Sequence, residues 1–182
     1  MHKKYSNVFY FVDSLNKQNI QNLNKNISII FRDYKHKLNI KKLIDFRNFC
    51  RSSGRKFYLA NSPKIAYSLN LDGIYVPAFN KKLNLIPINN RKKFIILGSA
   101  HNLSEIKIKE IQRCKFIFIA PIFKVDKKKK FLGIYKYNQL ANLTKRKTIA
   151  LGGINSANFN RLKLIKSEGF ASISYIKKNG LK

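Results

Sequence analysis

The sequence predicts a compact α/β protein, a (β/α)8 TIM barrel with a truncated last helix. Eight short runs rich in Ile, Phe, Tyr and Val alternate with polar segments of helical period. Several of these runs are apolar almost throughout, as parallel strands covered on both faces must be. The 182 residues show no internal repeat and no linker, so one domain spanning residues 1–182 is expected. An open doubly wound sheet is the structural alternative.

The first two strands are expected at Val8–Val12 and Ile27–Phe31. Ile40, Leu43, Ile44 and Phe46 then begin an apolar helical stripe, which Gly54 can end in the left-handed conformation. Phe57–Leu59 is the third strand. Ser62 followed by Pro63 reads as an N-cap and first-turn proline, with Ala66 and Leu69 on the inward face. Gly73–Val76 is the fourth strand, and Phe79 to Asn90 holds little regular helix.

Phe94–Leu97 supplies the fifth strand. Asn102 and Glu105 resemble a capping box before Ile106 and Ile108. Phe116–Ala120 is the sixth strand, Tyr135 to Leu143 a helix and Thr148–Leu151 the seventh strand. Asn155 is expected to cap a helix that buries Phe159, Leu162 and Ile165 and stops near Gly169. The eighth strand is placed at Ala171–Ile176, leaving Lys178 to Lys182 too short for a full last helix. The uncovered flank would offer a second copy of the chain an apolar contact, so a homodimer is an expected partner.

Composition narrows the function classes. At 45% hydrophobic and 13% aromatic residues, the chain can bury a core and is not a disordered basic tail. No apolar run approaches the roughly 18 residues needed to span a bilayer, so no membrane partner is expected. Val8–Val12 is too short for a signal-peptide core, which makes a cytoplasmic location the expectation. Cys50 and Cys114 lie far apart and suggest neither a disulfide framework nor a zinc site.

The net charge of +30 comes from 38 basic and 8 acidic side chains. Such a field attracts nucleic acid, anionic membranes or phosphorylated metabolites. The lysines are spread along the chain and enriched together with Asn and Ile. That pattern fits compositional drift better than a clustered nucleic-acid footprint. Anionic substrates benefit from the field in either case.

In such a barrel, functional residues project from the C-terminal ends of the strands. Those ends carry Arg32-Asp33, Asn61-Ser62, Tyr75 to Asn80, Ser99-Ala100-His101, Pro121 to Lys130, Gly152-Gly153 and Ile176-Lys177. They include no paired carboxylates and no metal-ligand cluster. Gly152 and Gly153 would let backbone amides approach a phosphate at a helix start, or would simply form a tight turn. His101 can transfer protons near neutral pH. The lysine run 127–130 is either a solvated loop or a cationic flap for a departing diphosphate.

In their order, these strand ends resemble the thiamine phosphate synthase/TenI family. The stretches that carry the resemblance are Tyr10-Phe11-Val12-Asp13-Ser14, Ile29-Ile30-Phe31-Arg32-Asp33, Asp72-Gly73-Ile74-Tyr75, Gly98-Ser99-Ala100-His101, Ala120-Pro121-Ile122-Phe123 and Ala150-Leu151-Gly152-Gly153-Ile154-Asn155. It covers essentially the whole chain except the missing last helix.

The resemblance implies a transferase of thiamine biosynthesis. Such an enzyme joins hydroxymethylpyrimidine diphosphate to thiazole phosphate and releases diphosphate. It further implies that Arg32, Asn61 and Ser99 bind the pyrimidine diphosphate and that Lys128, or a neighbour in its run, assists the leaving group. Gly152, Gly153 and the backbone at Ile176 and Lys177 would hold the thiazole phosphate.

Several positions depart from the family pattern. The family holds Mg2+ with two acids, and Ser62 and Asn80 stand at those positions, so any magnesium would have to arrive through the substrate diphosphate. The glutamine before the arginine is Ile30, the lysine after it is Tyr34, the sixth-loop threonine is Val125 and the strand-four histidine is Tyr75. Loss of the metal acids also marks the TenI-type thiazole tautomerase branch. There, a histidine at the position of His101 moves a proton. A basic barrel that binds nucleic acid is the third alternative, and no nucleic-acid motif supports it.

Overall fold

The computed structural model describes residues 5–85, 93–125 and 130–180. Eight parallel strands form a closed barrel in chain order, with the eighth pairing to the first. They are β1 (Asn7–Val12), β2 (Ile27–Phe31), β3 (Phe57–Ala60), β4 (Gly73–Val76), β5 (Ile95–Ala100), β6 (Phe116–Ile119), β7 (Lys147–Leu151) and β8 (Gly169–Ala171). Around them lie α1 (Gln18–Gln21), α2 (Ile40–Ser52), α3 (Pro63–Ser68), α4 (Leu103–Ile111), α5 (Gly133–Asn142) and α6 (Ser174–Asn179). None of the helices is long and apolar enough to cross a membrane among the described residues.

Two apolar layers follow from the two-residue period of the strands. Phe9 and Phe11 point into the barrel, where they meet Tyr58, Tyr75, Phe116 and Phe118. Tyr10 and Val12, on the alternate face, pack outward with the helix residues Leu43, Phe46 and Ile106. The interior rings pack edge to face, Phe9 on Phe118 at 4.9 Å and Phe11 on Tyr75 at 5.1 Å between centroids. Large rings therefore fill an interior that branched aliphatic residues usually occupy in this fold.

The helix ends follow local chemistry. Gly54 takes φ +70° just past α2, and its amide returns to the Arg51 carbonyl. Pro63 opens α3, although the Ser62 side chain makes no cap. Asn102 Oδ1 accepts from Glu105 N at 2.9 Å, and Glu105 Oε2 accepts from His101 N at 2.6 Å. The expected capping box is thus shifted by one residue on its return leg.

The C-terminal fifth differs from expectation. The eighth strand is Gly169–Ala171, and a short α6 follows it. Gly169 does not end a helix. It lies so close to β1 that a Cβ there would sit 1.8 Å from the Asn7 carbonyl oxygen, so only glycine allows this pairing. The segment before it is a 3-10 turn, Phe159–Leu164, with Asn158 and not Asn155 at its N-cap position and no side-chain cap. Leu162 and Ile165 are buried as expected. Between β4 and β5 the described residues hold no helix, and residues 86–92 lie outside them.

Candidate active site

The C-terminal strand ends enclose a cavity of about 800 Å³. Arg32, Ser99, His101, Gly152 and Gly153 all line it, so five of the expected site residues converge from β2, β5 and β7. Ser172 and Ser174, beside the end of β8, close the wall next to the glycine pair. A smaller cavity of about 160 Å³ opens on the other side of Arg32, bounded by Asp13, Asn19 and Lys177.

Arg32 leaves β2 with its amide donating to the Val12 carbonyl at 2.8 Å. Its guanidinium lies 4.7 Å from the centroid of the Phe11 ring. That stacking fixes the one described arginine of the large cavity wall while leaving its hydrogen-bond donors for an anion. Ser99 is buried on β5, near the Tyr75 phenol. Burial pushes the Tyr75 phenol up and Ser99 opposes that shift, so the phenol stays protonated as a neutral donor.

His101 Nδ1 lies 2.7 Å from the Ala120 carbonyl oxygen. A carbonyl only accepts, so Nδ1 carries the hydrogen and Nε2 of the neutral ring is left as the proton acceptor. The ring is thereby oriented from the end of β6.

The glycine turn has a second role besides approach to a ligand. Gly152 and Gly153 adopt φ +95° and +72°. A Cβ at Gly153 would come within 2.4 Å of the Lys124 carbonyl and 2.5 Å of that of Phe123. Gly152 O accepts from Phe123 N at 3.1 Å, and Gly153 O accepts from Asn158 Nδ2 at 2.7 Å. Both peptide planes are therefore fixed by neighbouring segments. Asn155 N donates to Asn158 Oδ1 at 2.9 Å, so the expected helix start is replaced by a reciprocal asparagine turn.

Two expected contributors are placed differently. Ile176 lies in α6 with its side chain fully buried, and Lys177 N donates to Ile173 O within that helix. Neither backbone position is the end of a strand, because the apolar run from residue 171 turns helical after β8. Lys177 contributes its side chain to the smaller cavity instead. Asn61, held at φ +55° after β3, is not among the residues lining the large cavity, and its Oδ1 accepts from Asn80 Nδ2 at 2.6 Å. Lys128 lies outside the described residues.

This amide pair bears on magnesium. Asn61-Ser62 and Asn80 stand where the family pattern carries its metal acids, and they offer neutral oxygens, with Asn61 Oδ1 already accepting from Asn80 Nδ2 and Asn80 Oδ1 from Lys82 N. Among the described residues, no group of three or more His, Cys, Asp or Glu is arranged to hold a metal. The carboxylate that lines the cavity, Glu105, is bound to the His101 amide. The donor set does not fit a protein-held hard cation, which wants carboxylates.

Sequence reasoning gave no role to Tyr34 or Phe79, both of which line the large cavity. It also missed Lys109, whose fully buried ammonium donates to the carbonyls of Pro77 and Asn80 at 2.9 and 2.8 Å. Gln112 reinforces it, with Nε2 donating to Asn80 O and Lys82 O. These bonds pin the 77–82 loop against α4.

A convergent site at the C-terminal ends of parallel barrel strands places the molecule among (β/α)8 barrels that bind small molecules on that face. Within that class the sequence is decisive: the chain belongs to the thiamine monophosphate synthase family, whose profile matches residues 16–176. It is 30% identical over 139 residues to a thiamine-phosphate synthase of Prochlorococcus marinus, covering 72% of this chain and 39% of that one. It is 30% identical over 138 residues to the Haemophilus influenzae thiamine-phosphate synthase of strain KW20, covering 73% and 61%. The matched region thus spans less than two thirds of either relative. The fold is similar to that of the thiamine phosphate pyrophosphorylase from Pyrococcus furiosus, with TM-score 0.78, 16% identity and coverage of 97% and 93%.

Proposed function

We propose that this barrel couples hydroxymethylpyrimidine diphosphate to thiazole phosphate, forming thiamine monophosphate and releasing diphosphate. The observation that carries the reading is the convergence of Arg32, Ser99 and the Gly152-Gly153 turn on one 800 Å³ cavity. In the reaction, the bond between the pyrimidine methylene carbon and the diphosphate oxygen breaks, and its electron pair leaves with diphosphate. The thiazole nitrogen then gives its lone pair to the methylene carbon. Arg32 opposes the charge that grows on the departing oxygen. Apolar walls, including Tyr75 and Leu151, keep water from the cation.

The thiazole phosphate is proposed to sit at Gly152, Gly153, Ser172 and Ser174, with Lys177 adding charge through the smaller cavity. Lys128 is proposed to follow the leaving group. No step runs through a protein-held metal, because Asn61, Ser62 and Asn80 make a neutral donor set.

A second reading rests on the fixed tautomer of His101. Nε2 is ready to take and return a proton, which suits a tautomerase acting on a thiazole carboxylate phosphate. The two readings separate in one assay of purified protein with both thiamine precursors, following thiamine monophosphate and the thiazole tautomer. The coupling reading expects product in which His101→Ala is tolerated. Tautomer turnover without coupling, lost on His101→Ala by about 10²–10⁴-fold, would establish the second reading instead.

A further inference from the structure

Two exposed aromatic rings stand at the mouth of the large cavity. Tyr34, on the loop after β2, is 49% exposed, and Phe79, on the loop after β4, is 65% exposed. Their centroids are 5.6 Å apart and their planes cross at 77°, so together they form an aromatic corner. Both line the cavity that Arg32 also lines.

The corner is preorganised from both sides. Asp33 Oδ1 accepts from Lys35 N at 2.9 Å and from His36 N at 3.3 Å, which turns the chain around Tyr34. Lys109 and Gln112 grip the carbonyls on either side of Phe79. Rings that cover no core, yet sit on pinned loops, are poised to bury their faces against a ligand with little ordering left to do.

We infer that Tyr34 and Phe79 determine specificity by receiving the flat heteroaromatic ring of a phosphorylated substrate. One ring stacks on it, the other meets its edge, and its anionic tail runs to Arg32. This rests on the coupling function proposed above, in which the ring is the pyrimidine. It also explains the chemistry of the rim: an aromatic side chain at position 34 supplies ring contact, where a cation would supply only charge.

The sequence contains no tryptophan, so Phe79→Trp places a lone fluorescent reporter in the corner. This variant is titrated with hydroxymethylpyrimidine diphosphate, thiamine monophosphate and uridine monophosphate. Inorganic diphosphate and ribose 5-phosphate serve as ring-free counterparts. Ring-bearing phosphates should change the emission and the ring-free ones should not. In calorimetry, Phe79→Ala should weaken hydroxymethylpyrimidine diphosphate by about 5- to 100-fold, the range for losing one stacked ring, and leave inorganic diphosphate within about twofold.

Equal losses for ring-bearing and ring-free ligands, or parental affinity in both Phe79→Ala and Phe79→Leu, would overturn the corner. If only the other ring-bearing phosphates bind, the corner stands and the coupling function falls. If no ring-bearing phosphate binds, both fall.

Discussion

Asn80 donates its side-chain amide to the Asn61 carbonyl oxygen across 2.6 Å, joining the loops after β4 and β3 with neutral groups. Two carboxylates at the neighbouring family positions would repel each other and invite a cation, whereas here one amide N–H meets the other amide's oxygen.

The protein without substrate should therefore bind no divalent cation at this place. Titration with Mn2+, read by electron paramagnetic resonance, should show no stoichiometric site. The double change Ser62→Asp with Asn80→Asp should create one of weak affinity. Stoichiometric Mn2+ on the unchanged protein would contradict the neutral-pair assignment.

Lys109 is a buried cation with three acceptors: Pro77 O, Asn80 O and Gln112 Oε1. Burial lowers its pKa, and its nearby charges only partly restore it. Lys109→Met keeps the volume and strands those acceptors, an expected loss of about 1–3 kcal/mol in unfolding free energy. Hydrogen exchange should quicken across residues 77–82 while β1 and β2 keep their protection. An unchanged exchange pattern would show that the ammonium does not hold the loop.

Gly153→Ala should act on the fold as well as on binding. The new Cβ would meet two backbone carbonyls at a φ that L side chains avoid. The expected outcome is a lower Tm together with weaker thiazole phosphate binding, measured by calorimetry. Full stability with binding selectively lost would mean that the turn serves the phosphate alone.

Much of this was legible in the sequence. β1 to β7 are mostly apolar on both faces, and that near-continuity marks strands wrapped by helices wherever the chain is read. β8 was misplaced because Ala171 to Ile176 is apolar enough for a strand, whereas Gly169 is fixed by the distant Asn7 carbonyl. That Arg32, Ser99, His101 and the glycine pair share one cavity was legible because strand ends point to one face whatever the loops do. Asn61–Asn80 and Lys109 were hidden, since their partners lie 19 to 32 residues away. Among 38 basic side chains, a buried lysine carries no mark of its own. Tyr34 and Phe79 were given no role, because the sequence does not reveal which ring stays exposed at the cavity.

The most direct measurement is the rate of thiamine monophosphate formation from both precursors by the unchanged protein and by Arg32→Ala. The guanidinium stacked on Phe11 is the described cation shared by both cavities. Its removal should cut coupling by about 10²–10³-fold, the loss typical of one charge-stabilising group. His101→Ala, measured alongside, should keep most of the rate. Coupling that survives Arg32→Ala and disappears with His101→Ala would contradict the assigned roles.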